Sequence, residues 1–201
     1  MINEPLPRSF YERNTVRVAR DLLGKRLVKV EDGRRIAGMI SEAEAYRGEE
    51  DQGCHAKSGR TPRTQVMYGP AGYAYVYFTY GNHWMLNAVC EAEGFPAAVL
   101  LRAIWPTEGI DVIKERRGSQ PRKHWTNGPG KICQALGIDA SFKGVDLCTT
   151  DAGLYIEDGD PIPEDAVTSG PRVGFNNVPE PWLSMPWRYL VVPAYFDGLS
   201  D

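Results

Sequence analysis

Only four of the 201 residues are cysteine and three are histidine, and neither type is arranged to hold a metal. Cys54, Cys90, Cys133 and Cys148 lie far apart without a C-x-x-C pair, so they read as reduced, mostly buried thiols and no zinc site is expected. An H-x-E paired with P-C-x-x-C is absent, which excludes the zinc deaminases. Gly130-Lys131 continues into Ile132 instead of Ser or Thr and lacks the upstream glycine, which excludes a P-loop. No apolar run approaches the roughly 20 residues of a membrane span, and no membrane association is expected. The opening Met1-Ile-Asn-Glu-Pro-Leu-Pro-Arg8 lacks a secretory h-region, which predicts a cytoplasmic protein, nucleoid-associated in a bacterium or nuclear in a eukaryote. Repeats, low-complexity tracts and linkers are missing too, so residues 1–201 are expected to form one domain.

What is present is an uneven charge. The net charge is −3, but residues 1–140 carry +4 and residues 141–201 carry −7. One end can touch phosphates while the acidic end faces away, which permits a nucleic-acid partner without demanding one.

Glycine and proline, 21 and 15 residues, predict many turns in a strand-rich fold. A capping-box pattern at Ser9–Glu12 precedes helical spacing through Val16, Val18, Ala19, Leu22 and Leu23 to Gly24. Strands are expected at 26–30 and 35–46, joined at Asp32-Gly33, then at 73–80, 84–90 and 97–105. A short basic helix fits 109–117, and a second helix fits 127–137 with Gly or Pro at its start and Gly137 at its end. The tail returns to strands near 154–157, 173–175 and 187–192. Together these predict an α+β fold: a curved, mostly antiparallel sheet with peripheral helices and a protruding hairpin.

Four tyrosines fall within Tyr73-Ala-Tyr-Val-Tyr-Phe-Thr-Tyr80-Gly81-Asn82. Tyr73, Tyr75 and Tyr77 alternate and share one strand face, while Tyr80 sits at a tip beside Gly81-Asn82, a pair suited to a tight turn. A ring on a hairpin tip can wedge between bases, although tyrosines pack ordinary half-buried sheets as well. On the earlier strand, Glu42, Glu44 and Tyr46 share one face and Ala43 and Ala45 the other. Paired carboxylates usually mark a solvated face; opposite small alanines they can line a cleft. The segment Glu49–His55 mixes carboxylates, a thiol and an imidazole without ligand spacing, and reads as a solvated loop. Arg60-Thr-Pro-Arg63 and Lys131 at a helix start are phosphate candidates or plain surface charge.

The order of the pieces is more specific than any one of them: Glu44-Ala-Tyr46, His55, Arg60-Thr-Pro-Arg63, Tyr75-Val-Tyr77-Phe-Thr-Tyr80-Gly81, Asn87, Val99-Leu-Leu-Arg102, Gly128-Pro-Gly-Lys131, Arg172-Val-Gly174 and Pro186-Trp-Arg-Tyr-Leu-Val191. In this order the chain resembles the alkyladenine (3-methyladenine) DNA glycosylase family from about Gly24 to Val192.

The resemblance implies a monofunctional glycosylase that flips alkylated or deaminated purines out of duplex DNA, hydrolyses the N-glycosidic bond and so begins base-excision repair. Glu44 matches the carboxylate that activates water, and Arg102 the arginine that holds carboxylate and water. Tyr46, His55 and Tyr77 match the walls of the base pocket, and Asn87 the asparagine that excludes guanine by its exocyclic amine. Tyr80 matches the ring that fills the vacated stack, leaving Tyr73 and Tyr75 as sheet and core residues. Arg60, Arg63 and Lys131 are expected on the DNA backbone. No cofactor, metal or amine nucleophile is implied, and a monomer acting on double-stranded DNA is expected. The tip Gly81-Asn82-His83 is more polar than the apolar tip of some members. Two competing readings use the same residues: a nucleosidase for free nucleosides, which needs no wedge, and a non-catalytic binder of distorted DNA.

Overall fold

The computed structural model describes residues 4–198 apart from 176. Two short helices come first, α1 (Arg8–Tyr11) and α2 (Thr15–Asp21). The cap of α2 is Asn14, whose side-chain oxygen accepts from the N–H groups of Val16 at 3.1 Å and Arg17 at 3.4 Å. The capping box expected at Ser9 is not formed. Pro7 occupies the N-cap of α1, so Ser9 already lies inside that helix.

Strand β1 (Arg26–Glu31) turns at Asp32-Gly33, both at positive φ, into the 14-residue β2 (Arg34–Arg47). After a long loop come β3 (Ala74–Thr79), β4 (His83–Val89) and β5 (Ala97–Glu108). Helices α3 (Ile110–Arg117) and α4 (Pro129–Leu136) follow, then β6 (Leu154–Glu157), β7 (Val167–Gly170) and β8 (Arg188–Val191). Proline at the first turn of α4 and Gly137 at φ 69° after its last bear out the predicted start and stop.

The strands form one antiparallel sheet in the order β3-β4-β5-β2-β1-β6, with β8 joining β2 and β7 joining β8. This is the expected α+β architecture. One expected strand is wrong: Val173–Phe175 is a bend, and the strand is Val167–Gly170 instead. The reason lies in the hydrogen bonding, since the Val173 N–H is donated to a side chain, and Gly174 at φ 92° turns the backbone away from any ladder.

Strand β2 is the axis of the sheet. It pairs with β5 along one edge, and with β1 and then β8 in succession along the other. Its alternation holds: Ala43 and Ala45 face the main core with Leu22 and Leu23, just past the end of α2, and Ile132 and Leu136 from α4. Burying each such leucine stabilises the fold by about 1.5–3 kcal/mol. The opposite face carries a second cluster, in which Tyr75, Val89 and Ala98 meet Cys54, Met67 and Tyr68 from the 47–72 loop.

Candidate active site

The β2–β5 ladder contains an irregularity: the register runs Ile40↔Ile104, Glu42↔Ala103, Ala43↔Leu101, leaving Ser41 and Arg102 without partners. Such a bulge re-aims a side chain. The Arg102 guanidinium falls between two carboxylates, its Nε 2.9 Å from Glu42 and its Nη1 3.3 Å from Glu44. Glu42 also accepts from Arg188 Nε at 2.7 Å, so it braces both arginines.

Glu44 has no solvent exposure. The Tyr46 hydroxyl donates to Oε2 at 2.8 Å, and the Val173 N–H donates to Oε1 at 2.7 Å. With Arg102 these are three donors against about four lone-pair sites, which leaves room for one more, such as a water. Burial pushes the Glu44 carboxyl above its ordinary range; Arg102, the Val173 N–H and the Tyr46 hydroxyl pull it back, and nearby Glu42 adds to the rise.

Beside this carboxylate opens a cavity of about 500 Å³. The His55 ring lies 4.6 Å from the Tyr77 ring, edge to face, and Tyr75 and Tyr77 lie 5.2 Å apart. Tyr46 and Phe175 form the facing wall, 6.2 Å apart. His55 is lowered to about 4, first by burial and then by Arg63 and Lys57, so its imidazole is neutral at physiological pH. Burial keeps the Tyr46 and Tyr77 phenols protonated. The walls are therefore uncharged π surfaces, suited to an electron-poor aromatic guest. Asn87 lines the same cavity, its amide fixed by donation to the Tyr75 carbonyl at 2.9 Å.

The hairpin beyond the rim differs in detail from the expected turn. Asn82 N–H bonds to the Thr79 carbonyl, which makes Tyr80 and Gly81 the central pair, at φ 53° and 73°. A bulky residue in this left-handed region costs about 1–2 kcal/mol. The result is a phenol 82% exposed at the tip. Below it His83 rests on Gly130 of α4, where an added Cβ would come within 2.9 Å of the imidazole.

A family model for methylpurine-DNA glycosylases matches residues 9–194. The chain belongs to the methylpurine-DNA glycosylase family. Among curated relatives of that kind, a protein of Myxococcus xanthus is 47% identical over 92% of this chain and 89% of its own length. One of Methanocella arvoryzae is 46% identical over 92% and 90%, and one of Salinibacter ruber 43% over 96% of both. All three carry the name "Putative 3-methyladenine DNA glycosylase".

The fold thus gathers Arg102, Tyr46, His55, Tyr77 and Asn87 around one cavity, with Tyr80 and Lys131 also lining it. Glu44 is buried just behind the cavity wall, against Arg102 and Tyr46. Arg63 packs behind the His55–Tyr77 wall, its guanidinium 5.0 Å from the Tyr77 ring and its Nη2 3.5 Å from His55 Nε2. Arg60 does not join them: it lies against Tyr68 and lines a separate cavity of about 300 Å³. Tyr75 is buried, as expected of a core residue, yet its hydroxyl lies 3.0 Å from His55 Nδ1 and the ring lines the cavity. Its place in the alternating Tyr75-Val-Tyr77 pair was the available signal. Val173, Phe175 and Glu42 were missed as well; only the shared strand face hinted at Glu42.

Proposed function

We propose that this methylpurine-DNA glycosylase releases 3-methyladenine and related damaged purines from duplex DNA at the Glu44 site, by hydrolysis and without strand cleavage. The base enters the cavity between the His55–Tyr77 wall and the Tyr46–Phe175 wall, where a cationic alkylpurine gains most from neutral π faces. Glu44 accepts a proton from a water as its oxygen attacks C1′; the C1′–N bond breaks, and its electron pair leaves with the base. The carboxylate and water also stabilise oxocarbenium charge developing on the sugar. Arg102, shared with Glu42, favours the ionised carboxylate against its burial and orients it. Asn87 takes up the space that a guanine amine would need. Tyr80 fills the gap in the stack, Arg60, Arg63 and Lys131 meet phosphates, and the protein acts as a monomer.

The observation that carries this reading is a fully buried carboxylate with three donors beside an aromatic-walled cavity. Its test is base release from duplexes that each hold one lesion. Glu44→Gln is expected to lose excision, by at least about 100-fold for a general base, while still binding the duplex. Wild-type turnover by Glu44→Gln would remove Glu44 from the reaction.

A further inference from the structure

Two of the three donors on Glu44 belong to groups that rest on a side chain elsewhere. Arg172 and Asp51 are both fully buried. Arg172 Nη1 and Nη2 donate to Asp51 Oδ2 and Oδ1 at 2.5 and 2.8 Å. Nη1 also donates to the Ala45 carbonyl at 3.0 Å, one residue beyond Glu44, and Nη2 to the Trp182 carbonyl at 3.3 Å. The guanidinium lies 4.8 Å from the Tyr46 ring, 4.7 Å from Phe175 and 5.2 Å from Trp187. Asp51 is fixed in turn by the N–H groups of Gly53 at 2.9 Å and Arg47 at 3.2 Å. Val173, whose N–H reaches Glu44 at 2.7 Å, is the next residue in the chain.

We propose that Arg172, locked by Asp51, is a positioning residue for the Glu44 carboxylate, holding both the Tyr46 hydroxyl and the Val173 N–H on it. The proposal rests on Glu44 being the base. Stability alone accounts poorly for such a pair, because desolvating two charges costs about what their attraction returns. The geometry gives the pair a role in the site, since one guanidinium fork ties β2, the 47–54 loop and the 171–175 bend to a single point beside the reacting group. The charged and titratable groups around Glu44 are Glu42 and Tyr46 on β2, Arg102 on β5, Tyr77 on β3, Arg188 on β8 acting through Glu42, and this pair. Of these, Tyr46 and Arg102 donate directly, and only the Arg172 fork supports a donor from outside β2 and β5.

The test is the pH profile of single-turnover 3-methyladenine release from methylated duplex DNA. Arg172→Lys keeps the charge but cannot supply the fork. Weaker donation leaves the buried carboxylate harder to ionise, so the acid limb should move upward. For each pH step by which the limb moves, a deficit of about tenfold is expected on the acid side, closing at alkaline pH. Combined with Tyr46→Phe, the displacements of the limb should be less than additive, since one acts through the other. Phe175→Leu removes no charge but takes one ring from the cage and loosens the guanidinium fork that holds the two donors; it gives the same direction with a smaller displacement if Arg172→Lys does not fold. A uniform loss at every pH, or an unmoved limb in the variant that folds, overturns the positioning role. Retained excision by Glu44→Gln would overturn the base assignment instead, so the two failures are distinct.

Discussion

At the scale of single residues, the site gives up stability to bury the Glu44 carboxyl. The folded-state pKa of Glu44 lies above its unfolded value, so its contribution to stability is present at low pH and is lost as pH rises through the folded pKa. Glu44→Gln should therefore melt no lower than the wild type near neutrality. That advantage should shrink towards pH 4.5, the ordinary value of a glutamate; calorimetry at several pH values reads it directly. A variant less stable at pH 8 than at pH 5, relative to wild type, would contradict the desolvation argument. His55 runs the other way. Its pKa is depressed to about 4, so stability is full above its ordinary 6.5 and falls as pH drops through that window. An NMR titration of the His55 ring should find its midpoint near 4. A midpoint at the ordinary value would mean a pocket wetter than its burial implies.

At the scale of elements, the hairpin makes the sharpest claim. Tyr80→Gly removes the left-handed strain and the wedge together. Thermal stability should hold or rise by up to about 1 kcal/mol, whereas single-turnover excision from duplex should fall. Equal loss on single-stranded substrate would show that the ring does something other than fill a stack. Gly130→Ala drives a methyl to 2.9 Å from Cγ and 3.1 Å from Cβ of His83, at the base of that side chain, so the start of β4 must shift; duplex excision should fall and the melting temperature with it. Much of this was legible in the sequence. Period-two spacing put Glu44 and Tyr46 opposite Ala43 and Ala45, and Pro129 and Gly137 marked α4. What periodicity does not encode is where it breaks. The bulge that turns Arg102 onto Glu44 is a mismatch between two strands, invisible in either alone. Val173–Phe175 has the β-branched and aromatic residues of a strand, but its N–H went to a carboxylate 129 positions away. The Arg172–Asp51 pair spans 121 positions, and no local signal joins them.

At the scale of the whole molecule, the −7 charge of residues 141–201 opposes the +4 of the rest, so affinity for DNA must come from a local patch. Lys131 lines the cavity, and Arg63 lies against its Tyr77 wall. If each meets one phosphate, Lys131→Ala should flatten the log–log salt dependence of duplex binding by about 0.9. An unchanged slope would place the DNA elsewhere. Removing one partner of the buried pair, as in Asp51→Ala, should cost about 3–5 kcal/mol, measured by denaturant unfolding. The position of Glu44 midway along β2, a strand paired on both edges, has a further consequence for how the molecule opens. Its backbone belongs to the last part to come apart, so amide exchange at β2 should track global unfolding. The parts of the cavity lining at 53–55, Tyr80 and 173–175 lie outside the strands, and exchange there should proceed by local opening. The cavity thus has a rigid part, with Tyr46, Tyr77 and Asn87 on paired strands, and a yielding part on the loops. Under the proposed reaction, loop substitutions should alter the range of bases accepted while the strand-borne walls stay as they are.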